Sequence, residues 1–62
     1  MSGMSLASRQ QVIEDMRQLI AQLERLKAAL GVLGQWTLVG TVEEAIKGVS
    51  EMLGNMQRSV YN

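Results

Sequence analysis

From Val12 to Leu33 the sequence reads VIEDMRQLIAQLERLKAALGVL, and the spacing of its apolar residues decides the fold. Val12, Met16, Leu19, Leu23, Leu26, Leu30 and Leu33 follow one another in alternating steps of four and three. That is the a/d repeat of a helix that buries one stripe against another helix. With Met16 taken as position a, Leu6, Ile13, Ile20 and Lys27 fall at e, and the stripe widens to the three-in-seven face of a bundle helix. Glu14, Arg17, Gln18, Glu24 and Arg25 fill the other positions and form a solvated back. Ser8, with Gln11 three residues on, offers a capping box for the start, and Ser5 is a rival cap.

A second stripe follows towards the C-terminus. Val42, Ala45, Val49, Met52 and Met56 take its a/d positions, with Ile46, Leu53 and Val60 at e. Thr41 with Glu44 makes another capping box, and Glu43 and Glu44 suit the positive end of a helix dipole. Arg25 and Lys27 near the end of the first helix, and Arg58 near the end of the second, suit the negative ends. Helices over residues 8–31 and 41–60 are therefore expected. Gly48, beside the seam at g, and Gly54, outward at f, each weaken the second helix by about 1 kcal/mol relative to alanine.

The expected connector is GVLGQWTLVG, residues 31–40, with Gly31 closing the first helix and Val32 folding back towards Leu26; a stop at Gly34 is the alternative and lengthens the helix by about one turn. It carries no charge, and ten residues exceed the roughly 2 to 8 usual between bundle helices. An apolar loop of that length reads either as a lid on the end of the bundle or as a surface for another molecule. Trp36, Leu33, Leu38 and Val39 are accordingly candidate protein-interaction residues. Met52 and Met56 join them, because methionine repacks easily against a partner helix. Residues 1–7 read as a flexible leader in which Met4 offers an internal start; the leader has neither the basic nor the apolar segment of a signal peptide. Tyr61 reads as a frayed terminal residue.

Sixty-two residues stabilise little alone. For a chain of 6.8 kDa, folding to a compact sphere hides about 5,900 Å², of which about 60% is apolar. That contributes on the order of 90 kcal/mol against a conformational entropy cost of about the same size. No cysteine or histidine is present to supply a disulfide or a structural zinc, so oligomerisation is the remaining source of stability. Six basic and six acidic residues cancel, which argues against a nucleic-acid or anionic-membrane partner. Arg9, Arg17 and Arg25 recur every eight residues and spiral around the helix instead of forming a stripe. The lack of cysteine and of a signal peptide fits a cytoplasmic location.

Catalysis by a nucleophile and base has no material here without histidine or cysteine. Lys47 with Ser50 is an ordinary pair on a helix surface. The neighbouring acids Glu14–Asp15 and Glu43–Glu44 point about 100° apart and do not converge on a metal. Gly31 and Gly34 lack the Lys-Ser/Thr ending of a phosphate loop. The uncharged window from Ala28 to Val42 is fifteen residues, short of the roughly 20 that span a bilayer. No catalytic, cofactor-binding or metal-binding residue is assigned.

The expected fold is thus all-α: a two-helix antiparallel hairpin in residues 8–62 that pairs with a second copy into a four-helix bundle. A dimeric coiled coil through the first helix is the alternative. Val12, Met16, Leu19, Leu23, Leu26, Leu30 and Val49 form the expected oligomer seam. In layout the chain resembles small secretion co-chaperones and ROP-type hairpin dimers, a likeness that carries no functional residue across. The expected function is a non-enzymatic, homo-oligomeric adaptor, regulator or co-chaperone. The alternatives are a ROP-like nucleic-acid-binding dimer and peripheral membrane association through the Trp36 loop.

Overall fold

The structure, a computed structural model, describes residues 6–61, with side chains described for residues 7–58. Of the leader expected at 1–7, residues 1–5, with the rival cap Ser5, lie outside the described residues, while Leu6 and Ala7 belong to the first helix; the side chains of Leu6, Val60 and Tyr61 also lie outside them. Two helices, α1 (Leu6–Val32) and α2 (Trp36–Tyr61), fold back on each other as an antiparallel hairpin. The described residues contain no strand.

The ends of both helices differ from expectation. α1 begins at Leu6, so Ser8 stands inside its first turn instead of capping it. Gln11, the other half of the expected box, donates Nε2 to Oδ1 of Asp15 at 2.9 Å. At the far end α1 runs past Gly31 to Val32 and closes on Gly34. The Gly34 N–H donates to the Gly31 carbonyl at 3.0 Å and the Gln35 N–H to the Leu30 carbonyl at 2.9 Å. This double closure is a Schellman motif, and Gly34 takes the left-handed conformation it needs, with φ of 72°. Of the two glycines that could end the helix, Gly34, the alternative, closes it, and Gly31 stays within it.

The larger correction concerns α2, which begins at Trp36 and not at Thr41. The connector shrinks from ten residues to Leu33, Gly34 and Gln35. Gln35 is the flanking residue, its carbonyl accepting the Val39 N–H at 3.0 Å. The physical reason lies in the backbone. A long apolar loop would leave the polar groups of residues 36–40 in search of partners, whereas helix pairs them at once. Nothing between Trp36 and Gly40 forbids helix, since Gly40 costs only about 1 kcal/mol and no proline intervenes. Thr41, expected to cap, sits inside the helix and donates Oγ1 to the Thr37 carbonyl at 3.3 Å. The expected match of charge to dipole is lost with these shifts. Neither helix has an acid in its first turn, and α1 has no base in its last. Arg58 alone keeps the expected place, in the last turn of α2, where it also hydrogen-bonds Asn55.

The helices meet along their a and e positions. Ile13, Met16, Ile20, Leu23, Lys27 and Leu30 of α1 turn towards Val39, Val42, Ile46, Val49, Leu53 and Met56 of α2. Two helices have no third layer to close over this seam, and most of it stays half-buried. Among the described residues Ile13 alone is buried, at 8% exposure. The molecule measures 47 × 19 × 14 Å and has a radius of gyration of 14.4 Å. A compact chain of this length would have about 11 Å.

Candidate functional site

A hairpin with so small an interior presents its functional surface on its outer faces. In each helix the inward direction lies between a and e; position d lies about 80° to one side of it and position b about 80° to the other. Because the helices are antiparallel, equal offsets bring the two d rows to the same broad face and the two b rows to the opposite one. Gly31 and Trp36, both at b, are in contact, with Trp36 Cζ3 3.7 Å from where a β-carbon on Gly31 would stand. That contact fixes the b face, and with it the d face.

The b face is charged. Arg17, Glu24, Glu43 and Ser50 continue its rows, and Lys27 Nζ approaches Glu43 Oε2 at 4.0 Å. Ser50 stays exposed, as does Lys47 at the neighbouring f position.

The d row is apolar, and the g row that flanks it on this face carries Gln22, Ala29, Thr41 and Gly48. Leu19, Leu26 and Leu33 run along α1, and Leu38, Ala45 and Met52 run the other way along α2, all of them exposed. Helix rise puts them in layers: Leu33 beside Leu38 at the turn, Leu26 beside Ala45 in the middle, and Leu19 beside Met52 further out. Leu26 is 47% and Met52 50% exposed although both occupy seam positions. No d position of these layers carries a charge or a hydrogen-bonding side chain.

The turn makes a second apolar area. Val32, Leu33 and Trp36 are exposed by 88%, 71% and 69%. Sequence reasoning did not single out Val32 as a surface residue, and the expected fold-back onto Leu26 does not occur. Its signal was its position: once α1 passes Gly31, Val32 falls at c, directly away from α2.

The candidate residues are thereby sorted by face. Met16, Leu23, Leu30 and Val49, from the expected oligomer seam, lie between the helices of one chain and are half-buried, as are Val39 and Met56 from the interaction set. Val12 is also half-buried, towards the open end. Leu19 and Leu26, with Leu33, Leu38 and Met52, share the exposed d face, and Trp36 lies across the molecule from them. Among the described residues no group of three or more acids could hold a metal ion, and no helix is long and apolar enough to cross a membrane. No family model matches the chain, nor does any curated protein or solved structure.

Proposed function

We propose that this chain is a non-enzymatic protein-protein interaction module that acts as a homo-oligomer, in the manner of a small adaptor, regulator or co-chaperone. The observation that carries this reading is the exposed leucine row Leu19, Leu26, Leu33 and Leu38, set beside an interior in which Ile13 alone among the described residues is buried. Rows of that kind mark association surfaces on water-exposed proteins. A spherical protein of 6.8 kDa would expose about 4,000 Å², and this hairpin exposes 4638 Å². The basic residues Arg9, Arg17, Arg25 and Lys27 sit at four different heptad positions, and Lys27 is paired with Glu43, which gives a nucleic-acid partner no basic face.

The test is mass in solution across a dilution series, with helix content read by circular dichroism on the same samples. Dimers or higher oligomers that lose helix as they dissociate are expected. A fully helical monomer at low micromolar concentration would refute the reading.

One observation favours a second reading, in which the turn inserts at a membrane interface. Val32, Leu33 and Trp36 project from one end, in a segment without charge from Ala28 to Val42. Co-sedimentation with neutral phosphatidylcholine vesicles, lost in Trp36→Ser, would support it. No binding by the wild type would end it.

A further inference from the structure

We infer that the d face receives a second copy of this chain in one defined orientation, with the two turns at the same end and the two-fold axis along the length of the hairpins. This rests on the self-association reading above and adds to it the face, the occupant and the direction.

The face has the dimensions of an interface. The whole broad side of the molecule is 47 Å by 19 Å, close to the roughly 800 Å² per partner of a standard interface, and the apolar layers from Leu19 to Leu33 occupy about 21 Å of its length. Side-chain size selects a second copy as occupant. With a two-fold axis running lengthwise, α1 lies on α2 of the second copy and every layer is kept. Leu33 meets the second copy's Leu38, Leu19 meets its Met52, and Leu26 enters the space over its Ala45. The large residue of the middle layer is thereby set against the small one, twice, by symmetry. With the turns at opposite ends and the same middle layer, Leu26 would meet Leu26, and Ala45 would face Ala45 across a void. Voids and overpacking both destabilise.

Charge selects the same orientation. Arg25 and Glu44 lie at c, on the two outer edges of one hairpin and at nearly the same level. In the turn-together dimer, α1 and α2 of different copies run side by side at about 8 to 10 Å between axes. Arg25 then stands beside Glu44 of the second copy on both edges. In the turn-opposed dimer Arg25 would stand beside Arg25 and Glu44 beside Glu44. Opposite charges along flanking positions set partner direction in helical assemblies.

The chain has no cysteine, so a single nitroxide label at Gln11→Cys, exposed on α1 fifteen residues from the middle layer at Leu26, reads the orientation directly. Pulsed electron resonance on the labelled dimer is expected to give a distance below about 30 Å, set by the breadth of the bundle, whereas opposed turns on the same middle layer would put the labels about 45 Å apart along the axis, twice the rise of fifteen helical residues. The face is tested by Leu26→Asp, which is expected to weaken dimerisation at least tenfold. The b-face substitution Glu24→Gln should leave dimerisation unchanged. Since Leu26→Asp also touches the hairpin, Arg25→Glu and Glu44→Arg give a second reading: each alone weakens the dimer and the two together restore it. A wild type that stays monomeric overturns both this inference and the self-association reading. A wild type that dimerises, with Leu26→Asp unaffected or with the long label distance, overturns this inference alone.

Discussion

The indole of Trp36 lies over Gly31 across the turn, its Cζ3 3.7 Å from the position of a β-carbon on that glycine. The first residue of α2 thus covers a residue in the last turn of α1. At that distance a methyl group would make ordinary van der Waals contact. Gly31→Ala is therefore expected to remove the backbone-entropy cost of glycine in a helix without displacing the indole. A gain of about 0.5 to 1 kcal/mol is expected, a rise in Tm of roughly 3 to 6 °C. Thermal melts followed by circular dichroism at one fixed concentration measure it. An unchanged tryptophan emission maximum would show that the ring has stayed in place.

Gly34 and Gly40 are expected to respond oppositely to the same substitution. Both have open space where a β-carbon would go, so sterics with neighbours do not distinguish them. Conformation does. Gly34 sits at φ of 72°, where a β-carbon strains its own backbone, while Gly40 is in the regular helix of α2. Gly34→Ala should cost about 1 kcal/mol or more, and Gly40→Ala should contribute about that much. Equilibrium urea unfolding at matched protein concentration reads both as shifts of midpoint in opposite directions.

That pair of glycines also shows where the sequence was legible. The four-three spacing from Val12 to Leu33 specified a long helix with one apolar side, because periodicity reports which residues avoid water. It could not separate Gly31, which has no positive φ, from Gly34, which requires one, because periodicity does not report φ and either glycine could end a helix. The start of α2 was misread for a related reason. Thr41 and Glu44 form a valid capping pattern, but a cap is needed only where a helix starts. Trp36 to Gly40 continue the helix because that satisfies their backbone. The division of the stripe between faces was hidden as well. An a/d/e pattern marks three rows, and only the position of α2 decides that a and e turn inward and leave Leu26 and Leu38 outside.

Ile13 and Val32, two β-branched residues of α1, should differ sharply when shortened. Ile13 is 8% exposed and Val32 88%. Ile13→Ala leaves a void beside the seam and should cost about 2 kcal/mol, near the lower end for an isoleucine in a core, since a two-layer hairpin can partly collapse onto it. Val32→Ala should change stability by less than about 0.5 kcal/mol. The urea midpoint again measures both, and similar losses at the two positions would contradict the burial described above.

Lys27 shares the inward a and e rows of α1 with one other charged residue, Arg9, and Glu43 on the charged face approaches Lys27 at 4.0 Å. The two side chains are 36% and 57% exposed, so the pair is screened by water and contributes at most a few tenths of a kcal/mol. The lysine stem already covers apolar surface, and its ammonium keeps the end of that row wet. Lys27→Met retains the stem's length and puts apolar surface against α2 in place of the charge. The hydrophobic gain of roughly 0.5 to 1 kcal/mol should exceed the loss of the ion pair, and Tm should rise. Glu43→Gln removes the pair alone and should lower Tm by less than about 2 °C, with the difference from wild type vanishing in about 1 M salt, where the screening length falls to roughly 3 Å. A large loss on Lys27→Met would mean that the ion pair, not the apolar rows, sets how α1 and α2 align.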